Sequence, residues 1–377
     1  MTVQTTVPLL DLKLQYESLR SEVEPMLHEI CDSQYFALGP KVVELENEIS
    51  QYVGSARAIG CASGSDALLL ALMALDVNPG DEVICPSFTF FATGGAIRRL
   101  GAVPVWADID PLTYNITPET IRNAAADRNR LKAIMPVHLY GQTVDMDGVL
   151  ETASLLKIPV IEDAAQAIGS KDATGAMAGS RGTIGCFSFY PTKNLGGFGD
   201  GGMITTNDIN LADRVARLRV HGGERRYYHS EVGINSRLDA LQAGVLLIKL
   251  RYLEQWHAGR AQNASIYNTI FNDLDGVAIV APKSPLAPAR HIWNQYILRV
   301  KDGRRDALRE HLAKNDIGSD IYYPVPLHMQ ECFADVSGVP MPETERAALE
   351  TLALPIFPEL DREQVEHVAN TIVSFLS

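Results

Sequence analysis

Cysteine pairing, long apolar runs and biased tracts are all missing from this sequence. Its five cysteines (Cys31, Cys61, Cys85, Cys186 and Cys332) are scattered, with no C-x-x-C among them. An odd count without a pairing pattern argues against a disulfide framework and against zinc, and it suits free thiols in a reducing cytoplasm. No run of eighteen apolar residues occurs, so no transmembrane span is expected. The opening segment MTVQTTVPLLDLKLQYESLR lacks a basic stretch followed by an apolar one, so no secretory leader is expected either. Positive charge is also scarce: 33 Lys and Arg face 46 Asp and Glu, a formal net charge of −13. That field opposes nucleic acid or an anionic membrane surface as the main partner. An anionic ligand would therefore be held by local groups, such as converging backbone N–H donors.

What is present is the composition of an ordinary soluble globular enzyme, 46% hydrophobic and 21% charged. A chain of 377 residues exceeds one compact core, which predicts a large domain over 1–250 and a smaller α+β domain over 251–377. Helical patterns are expected over 12–30 and 41–52, broken at Gly39-Pro40. Apolar runs at 82–85, 103–106, 132–136 and 160–162 then alternate with helical segments at 89–98, from 118 and from 146. This is the pattern of βαβ units, an α/β fold with a mostly parallel central sheet covered on both faces. Residues 208–218 read as a helix. A long helix is expected from Asp239 to about Phe271, then a strand over 293–300, a helix over 304–315 and a closing helix from Arg362.

In such sheets ligands collect beyond the C-terminal ends of the strands, and three chemically interesting segments lie at such ends: 86–90, 162–166 and the lysine stretch 188–202. Ser188 to Gly202 places Lys193 between an apolar run (184–190) and five glycines. A partly desolvated lysine there can lose its proton and attack a carbonyl, while glycines let a planar group come close. The alternative is a surface lysine on a glycine loop. Ser63-Gly64-Ser65-Asp66 feeds a helix whose first N–H groups would cradle a phosphate, or it is a simple N-cap. Asp163 ends a buried strand and either pairs with a protonated ring nitrogen or caps a helix beginning at Ala164. Gln166, one turn on, could reach a ring oxygen or face solvent. Phe90 could stack on a ring or belong to the core, and Ser188 could add a hydroxyl to the phosphate. An aromatic, nitrogen-containing aldehyde with a phosphate arm would use all of these groups together.

Over essentially its whole length the chain resembles the nucleotide-sugar aminotransferases, a branch of the fold-type I pyridoxal-phosphate enzymes. The resemblance rests on LDLKLQY, CASGSDAL, CPSFTFFAT, IPVIEDAAQAIG, CFSFYPTKNLGGFGDGGMITTND, GINSRLDALQAG and YYPVPLH. It implies the aspartate-aminotransferase-like fold, pyridoxal 5'-phosphate as cofactor with pyridoxamine 5'-phosphate formed in turnover, and a homodimer with shared active sites. It also implies an amino donor, most often glutamate, and a keto sugar on a nucleotide as acceptor. Carried over residue by residue, Lys193 is the Schiff-base lysine and Asp163 the partner of the ring nitrogen. Phe90 stacks, and Gln166 lies near the ring oxygen. Ser65, Asp66 and Ser188 take the phosphate positions beside Ser63 and Gly64, and Asn235 reaches the phosphate from the neighbouring subunit. Arg237, Tyr323 and His328 would lie near the sugar. HGGERRYYHSEVGINSRLD is most like members acting on 3-keto sugars, some of them uronic acids, where Arg237 would suit a sugar carboxylate; a structural salt bridge to Asp239 or another carboxylate is the other reading. His138, in PVHLYG, is read as structural, near a sheet edge. Related dehydratases carry histidine at the position of Lys193, and a non-catalytic regulator of this fold would lack the lysine or Asp163.

Overall fold

The computed structural model describes residues 6–336 and 340–376; the first five residues of the segment read for a leader lie outside them. Helices α1 (Leu12–Ser33) and α2 (Pro40–Val53) come first. Gly39, at φ 89°, caps α2 with Pro40 in its first turn, the geometry a Gly-Pro break favours. Then follow β1 (Arg57–Cys61), α3 (Gly64–Ala74), β2 (Glu82–Pro86), α4 (Ala92–Arg99), β3 (Val103–Ala107), α5 (Pro118–Ala125), β4 (Leu131–Ile134), α6 (Met146–Leu156) and β5 (Ile161–Asp163). Next come β6 (Ile184–Ser188), β7 (Gly202–Thr206), α7 (Ile209–Leu218) and a small hairpin, β8 (Gly223–Arg225) with β9 (Tyr228–His229).

Strands β3-β2-β4 and β5-β6-β7-β1 are hydrogen-bonded neighbours, and parallel bridges Ile134–Val160 and Val137–Asp163 join β4 to β5. The strands therefore run in the order β3-β2-β4-β5-β6-β7-β1. All neighbours are parallel except β7, which is antiparallel to both β6 and β1. Helices cover both faces, which is why the strands read as continuous apolar runs. Leu68, Leu72 and Val215, from α3 and α7, pack with Ile184 and Ile204 in one cluster. On the other side Leu19, Leu45 and Val245 pack with Phe187 and Met203.

The C-terminal part holds α8 (Ala240–Leu250), α9 (Leu253–Ile270), β10 (Ile279–Val280), β11 (Tyr296–Val300), α10 (Arg305–Lys314), α11 (Pro342–Glu350), β12 (Thr351–Leu354) and α12 (Arg362–Leu376). Strands β10-β11-β12 form a small antiparallel sheet under α9, α10 and α12. Val7 joins this core, its N–H bonded to the Asp316 carbonyl at 3.0 Å.

Four local expectations change. The long helix is two: the N–H groups of Arg251 and Tyr252 bond back to Ile248 and Lys249 and turn the chain. Leu253 and Trp256 stay in the large core, while Ala264, Tyr267 and Phe271 enter the small one. One straight apolar stripe could not serve both. The helix expected from Thr89 starts at Ala92, because 87–91 form the loop beyond β2. No helix follows Asp163, where the chain turns. Strand β11 starts at Tyr296 rather than Trp293, since Trp293 sits at φ 53° and stacks on His291, centroids 4.0 Å apart.

Candidate active site

Lys193 owes its place to a reversal between two neighbouring strands. Chain leaves β6 at Ser188, forms a tight turn in which the Lys193 N–H bonds to the Tyr190 carbonyl at 2.9 Å, and returns along β7. The glycines do not clear space for a ligand, as the sequence suggested; they let the loop pack on itself and on α8. A Cβ at Gly196 would lie 2.3 Å from the Pro191 carbonyl oxygen. Two residues of α8 then grip the loop: Gln242 Oε1 accepts from the Phe198 N–H at 2.7 Å, and Lys249 Nζ donates to the Gly196 carbonyl at 2.7 Å. Both ends and the middle are held, so the side chain of Lys193 projects from a rigid base.

It projects into a cavity of about 570 Å³ at the C-terminal ends of β2, β4, β5 and β6. Ser63, Gly64, Ser65, Phe90, Asp163, Gln166, Ser188, Lys193 and Tyr323 all line it. Burial pulls the Lys193 amine down from an ordinary 10.5 to about 8, with the Asp163 charge opposing the shift. Asp163 is 4% exposed. Its carboxylate accepts from Thr93 Oγ1 at 2.8 Å and from the Ala165 N–H at 3.2 Å. Burial nevertheless holds that carboxyl above its usual range, the Thr93 hydrogen bond counteracting it. Among the described residues no cation stands within 4.0 Å of it. Such a carboxylate is costly until a positive group faces it, and a protonated ring nitrogen is such a group.

Gln166 is equally constrained. Its Oε1 accepts from the Tyr140 N–H at 2.6 Å and its Nε2 donates to the Tyr323 hydroxyl at 2.9 Å, which leaves one amide hydrogen for a ligand oxygen. Phe90 is 57% exposed at the cavity mouth, 6.3 Å from the ring of Tyr323, whereas Phe88 is core. At the opposite end Ser63 caps α3, its Oγ accepting from the Asp66 N–H at 3.1 Å. The first helical N–H groups, of Gly64 and Ser65, have no intrahelical partner and with Ser188 make an anion cradle. The capping reading is met, while Ser63, Gly64 and Ser65, but not Asp66, line the cavity where a phosphate would sit. A Cβ at Gly64 would sit 2.5 Å from Ser188 Cβ. Gly64→Ala is expected to push α3 off β6, at an overpacking cost of about 1–3 kcal/mol, and to loosen the cradle. Dialysis against buffer should strip the cofactor from this variant faster than from wild type; equal retention would show that the cradle tolerates the shift.

Asn235 and Arg237 do not line this cavity. Both are exposed, with Arg237 Nε donating to Asn235 Oδ1 at 3.0 Å; the reading of Arg237 as a partner of Asp239 finds no ion pair within 4.0 Å. Ser236, between them, accepts from the Ala62 N–H at 3.1 Å and ties this motif to the phosphate turn. His328 is also not in the cavity wall. It is buried beneath the 322–328 segment, its Nδ1 2.6 Å from Ser87 Oγ, where it pins that segment to the end of β2. His138 is fully buried in the middle of the sheet, not near an edge. Its Nδ1 accepts from the Val144 N–H at 3.2 Å, so Nε2 carries the proton and donates to Glu162 at 2.8 Å.

The sequence reading missed Thr93, Thr89, Gln295 and Asp200. Thr93 is an ordinary helix threonine until β5 is placed beside α4, and Gln295 arrives from the segment before β11; no local pattern marks either. Among the described residues no group of three or more His, Cys, Asp or Glu is arranged for a metal, and no helix is long and apolar enough to cross a membrane.

Lysine, buried aspartate and anion cradle fit the aldehyde, ring nitrogen and phosphate of pyridoxal 5'-phosphate. Comparison with known proteins agrees. The chain is 46% identical to a protein of Geobacillus stearothermophilus named "Pleiotropic regulatory protein", over 98% of each. It is 42% identical to the "UDP-N-acetyl-3-dehydro-alpha-D-glucosamine 3-aminotranferase" of Acidithiobacillus ferrooxidans, over 99% of this chain and 98% of that one. Among solved structures, that of S. venezuelae DesV in complex with a ketimine intermediate superposes with a TM-score of 0.94 at 38% identity, covering 99% of both chains. The model of the DegT/DnrJ/EryC1/StrS aminotransferase family matches residues 17–373. That span contains every cavity residue named above, and the chain therefore belongs to this family of pyridoxal-phosphate-dependent aminotransferases.

Proposed function

We propose that the chain moves an amino group from an amino acid, with glutamate as donor, to the keto group of a nucleotide-linked sugar, with the keto group at C3. One observation carries the reaction type: Lys193 and Asp163 open on a single cavity, the one partly deprotonated near neutral pH and the other buried without a cation. When bound, the cofactor supplies an electron sink for breaking a C–H bond next to nitrogen. The chain does the rest. Asp163, steadied by Thr93, would keep the ring nitrogen charged, Gln166 would orient the ring oxygen, and Phe90 would cover one face. Lys193 would anchor the aldehyde, and its free amine would carry the proton, a role favoured by a pKa near working pH. The cavity's size falls within the usual range of about 300–1,000 Å³ for small-molecule sites.

The keto-sugar assignment is supported by the name of the A. ferrooxidans relative. A homodimer with shared active sites would give Asn235 and Arg237 their role, since both are exposed and stand outside their own cavity. A cytoplasmic location accords with five free cysteines. The G. stearothermophilus relative's name favours a second reading, a regulator on the same fold. A single assay separates them. Purified protein is expected to be yellow, to lose that colour with glutamate, and then to aminate one or more of a panel of UDP- and dTDP-linked keto sugars, followed by mass spectrometry. Dehydrated sugar without nitrogen would mean a dehydratase, and no cofactor uptake at all would favour the regulator.

A further inference from the structure

Gln166 can serve a ligand oxygen only while its amide points one way, and that direction is set from outside the cavity. The Tyr140 N–H donates to Gln166 Oε1 at 2.6 Å. A main-chain N–H can only donate, so it selects the oxygen and turns Nε2 toward the cavity. With the amide reversed, its oxygen would face the ligand oxygen and repel it. To present that N–H the chain takes an unusual path. Tyr140 stands at φ 60° and ψ 5°, followed by Gly141 at φ 98°. The left-handed region is rare for so bulky a residue and persists only where the surroundings impose it.

Asn115, in the loop between β3 and α5, imposes it. Its side chain is buried, 3% exposed, and spans the turn that follows β4. Oδ1 accepts from the Leu139 N–H at 3.1 Å, and Nδ2 donates to the Gln142 carbonyl at 3.1 Å. Tyr140 lies between those two attachment points, so one amide brackets the whole turn. The bracket is itself fixed: the Asn115 carbonyl accepts from the Asp110 N–H at 2.9 Å, and the Tyr114 N–H donates to the Asp110 carbonyl at 2.9 Å. The Tyr140 ring is anchored separately, edge-on to Tyr114 with centroids 5.7 Å apart, its hydroxyl donating to the Tyr322 carbonyl at 2.5 Å. Those contacts hold the side chain; the peptide that carries the N–H is held by Asn115. Asn115 does not line the cavity, so its effect on a bound group passes through Tyr140 and Gln166.

We propose that Asn115 is a positioning residue for the cofactor's ring oxygen, holding the 139–142 turn so that the Tyr140 N–H orients the Gln166 amide. The inference rests on the placing of Gln166 beside that oxygen. An oriented donor stabilises the oxygen's negative charge, and without it the neighbouring lysine adduct holds its proton more tightly. Asn115→Ala is therefore expected to raise the pH at which the adduct changes colour by about one unit. It should also lower kcat about tenfold, with KM for the keto sugar little changed. In the cofactor-free protein the Tyr140 amide should exchange its hydrogen at least about tenfold faster than in wild type. Gln166→Ala should produce the same colour shift, and adding Asn115→Ala to it should produce no more. Asn115→Asp keeps the acceptor for Leu139 and loses the donor to Gln142, so it reads the same shift if the alanine variant does not fold. A merely structural role would lower the melting temperature and leave the colour titration at its wild-type pH. That result, alongside a shift in Gln166→Ala, overturns the role of Asn115 alone. No shift in Gln166→Ala removes Gln166 from the ring oxygen, and the proposal with it.

Discussion

Lys193→Ala is expected to retain the cofactor only non-covalently and to lose turnover by at least about 10³-fold, since one residue supplies both the covalent anchor and the proton transfer. Spectra of the purified variant, single-turnover mixing with glutamate, and product mass together check this. Turnover within tenfold of wild type would remove the lysine from the mechanism. The same residue carries a stability signature. Its folded-state pKa of about 8 lies below the ordinary 10.5, so between those values the unfolded chain binds more protons and stability rises with pH. The cost of the buried ammonium is complete below pH 8 and gone above 10.5, at most about 3 kcal/mol. Cofactor-free Lys193→Met should therefore melt higher than cofactor-free wild type at pH 7, and the difference should shrink as pH rises through that window. Capture of the cofactor by wild type should slow as pH falls below 8, where the amine is protonated.

Asp163→Asn is expected to lower kcat by about 10²–10³ while leaving the lysine adduct spectroscopically visible. The substitution keeps the shape, and Thr93 and Ala165 can still bond to the amide. What goes is the negative charge that keeps the ring nitrogen protonated. The stability effect has two signs. Burial raises the Asp163 carboxyl in the empty protein, so its ionised form costs stability as pH rises from the ordinary carboxylate range through the raised value. Cofactor-free Asp163→Asn should then be more stable than wild type at pH 7, whereas the cofactor should stabilise wild type more than the variant. Equal stabilisation of both by pyridoxal 5'-phosphate would show that the carboxylate does not pair with the ring. Lys193 and Asp163 are thus both held against the preference of the bare fold, the exchange of stability for function expected of such a site.

How much of this was legible depends on whether a residue's role is local. The alternation of apolar runs with helices exposed the parallel sheet, strand ends marked Lys193 and Asp163, and a glycine-containing turn before a helix marked Ser63–Asp66, because those positions are set along one strand or helix. Thr93 acts only through β5, 70 residues away in sequence. Gln295 joins the cavity wall only once the segment before β11 is folded beside Lys193. His328 was placed near the sugar by the resemblance of YYPVPLH, yet its ring bonds to Ser87 beneath the wall. The glycines misled for a related reason: a missing side chain can admit a ligand or a neighbouring stretch of the same loop, and sequence alone does not say which. The break at Arg251–Tyr252 escaped because both α8 and α9 are good helix formers and only the presence of two cores requires the turn.

The one strand of the central sheet antiparallel to its neighbours, β7, bears on where the amine can reach. A parallel return would have needed a crossover of a dozen or more residues, taking the chain away from the reactive end of the sheet just after the lysine. By reversing instead, the chain comes straight back: Ser188 pairs with Gly202, and everything between them forms a short arch standing on two adjacent feet. The arch sets how far the amine reaches, independently of the walls around it. Segments 222–235 and 322–329 stand outside the arch, the first bonded to α7 through Ile234 and the second to the end of β2 through Leu327 and His328. A change in either is therefore expected to leave the reach of the amine where the arch sets it.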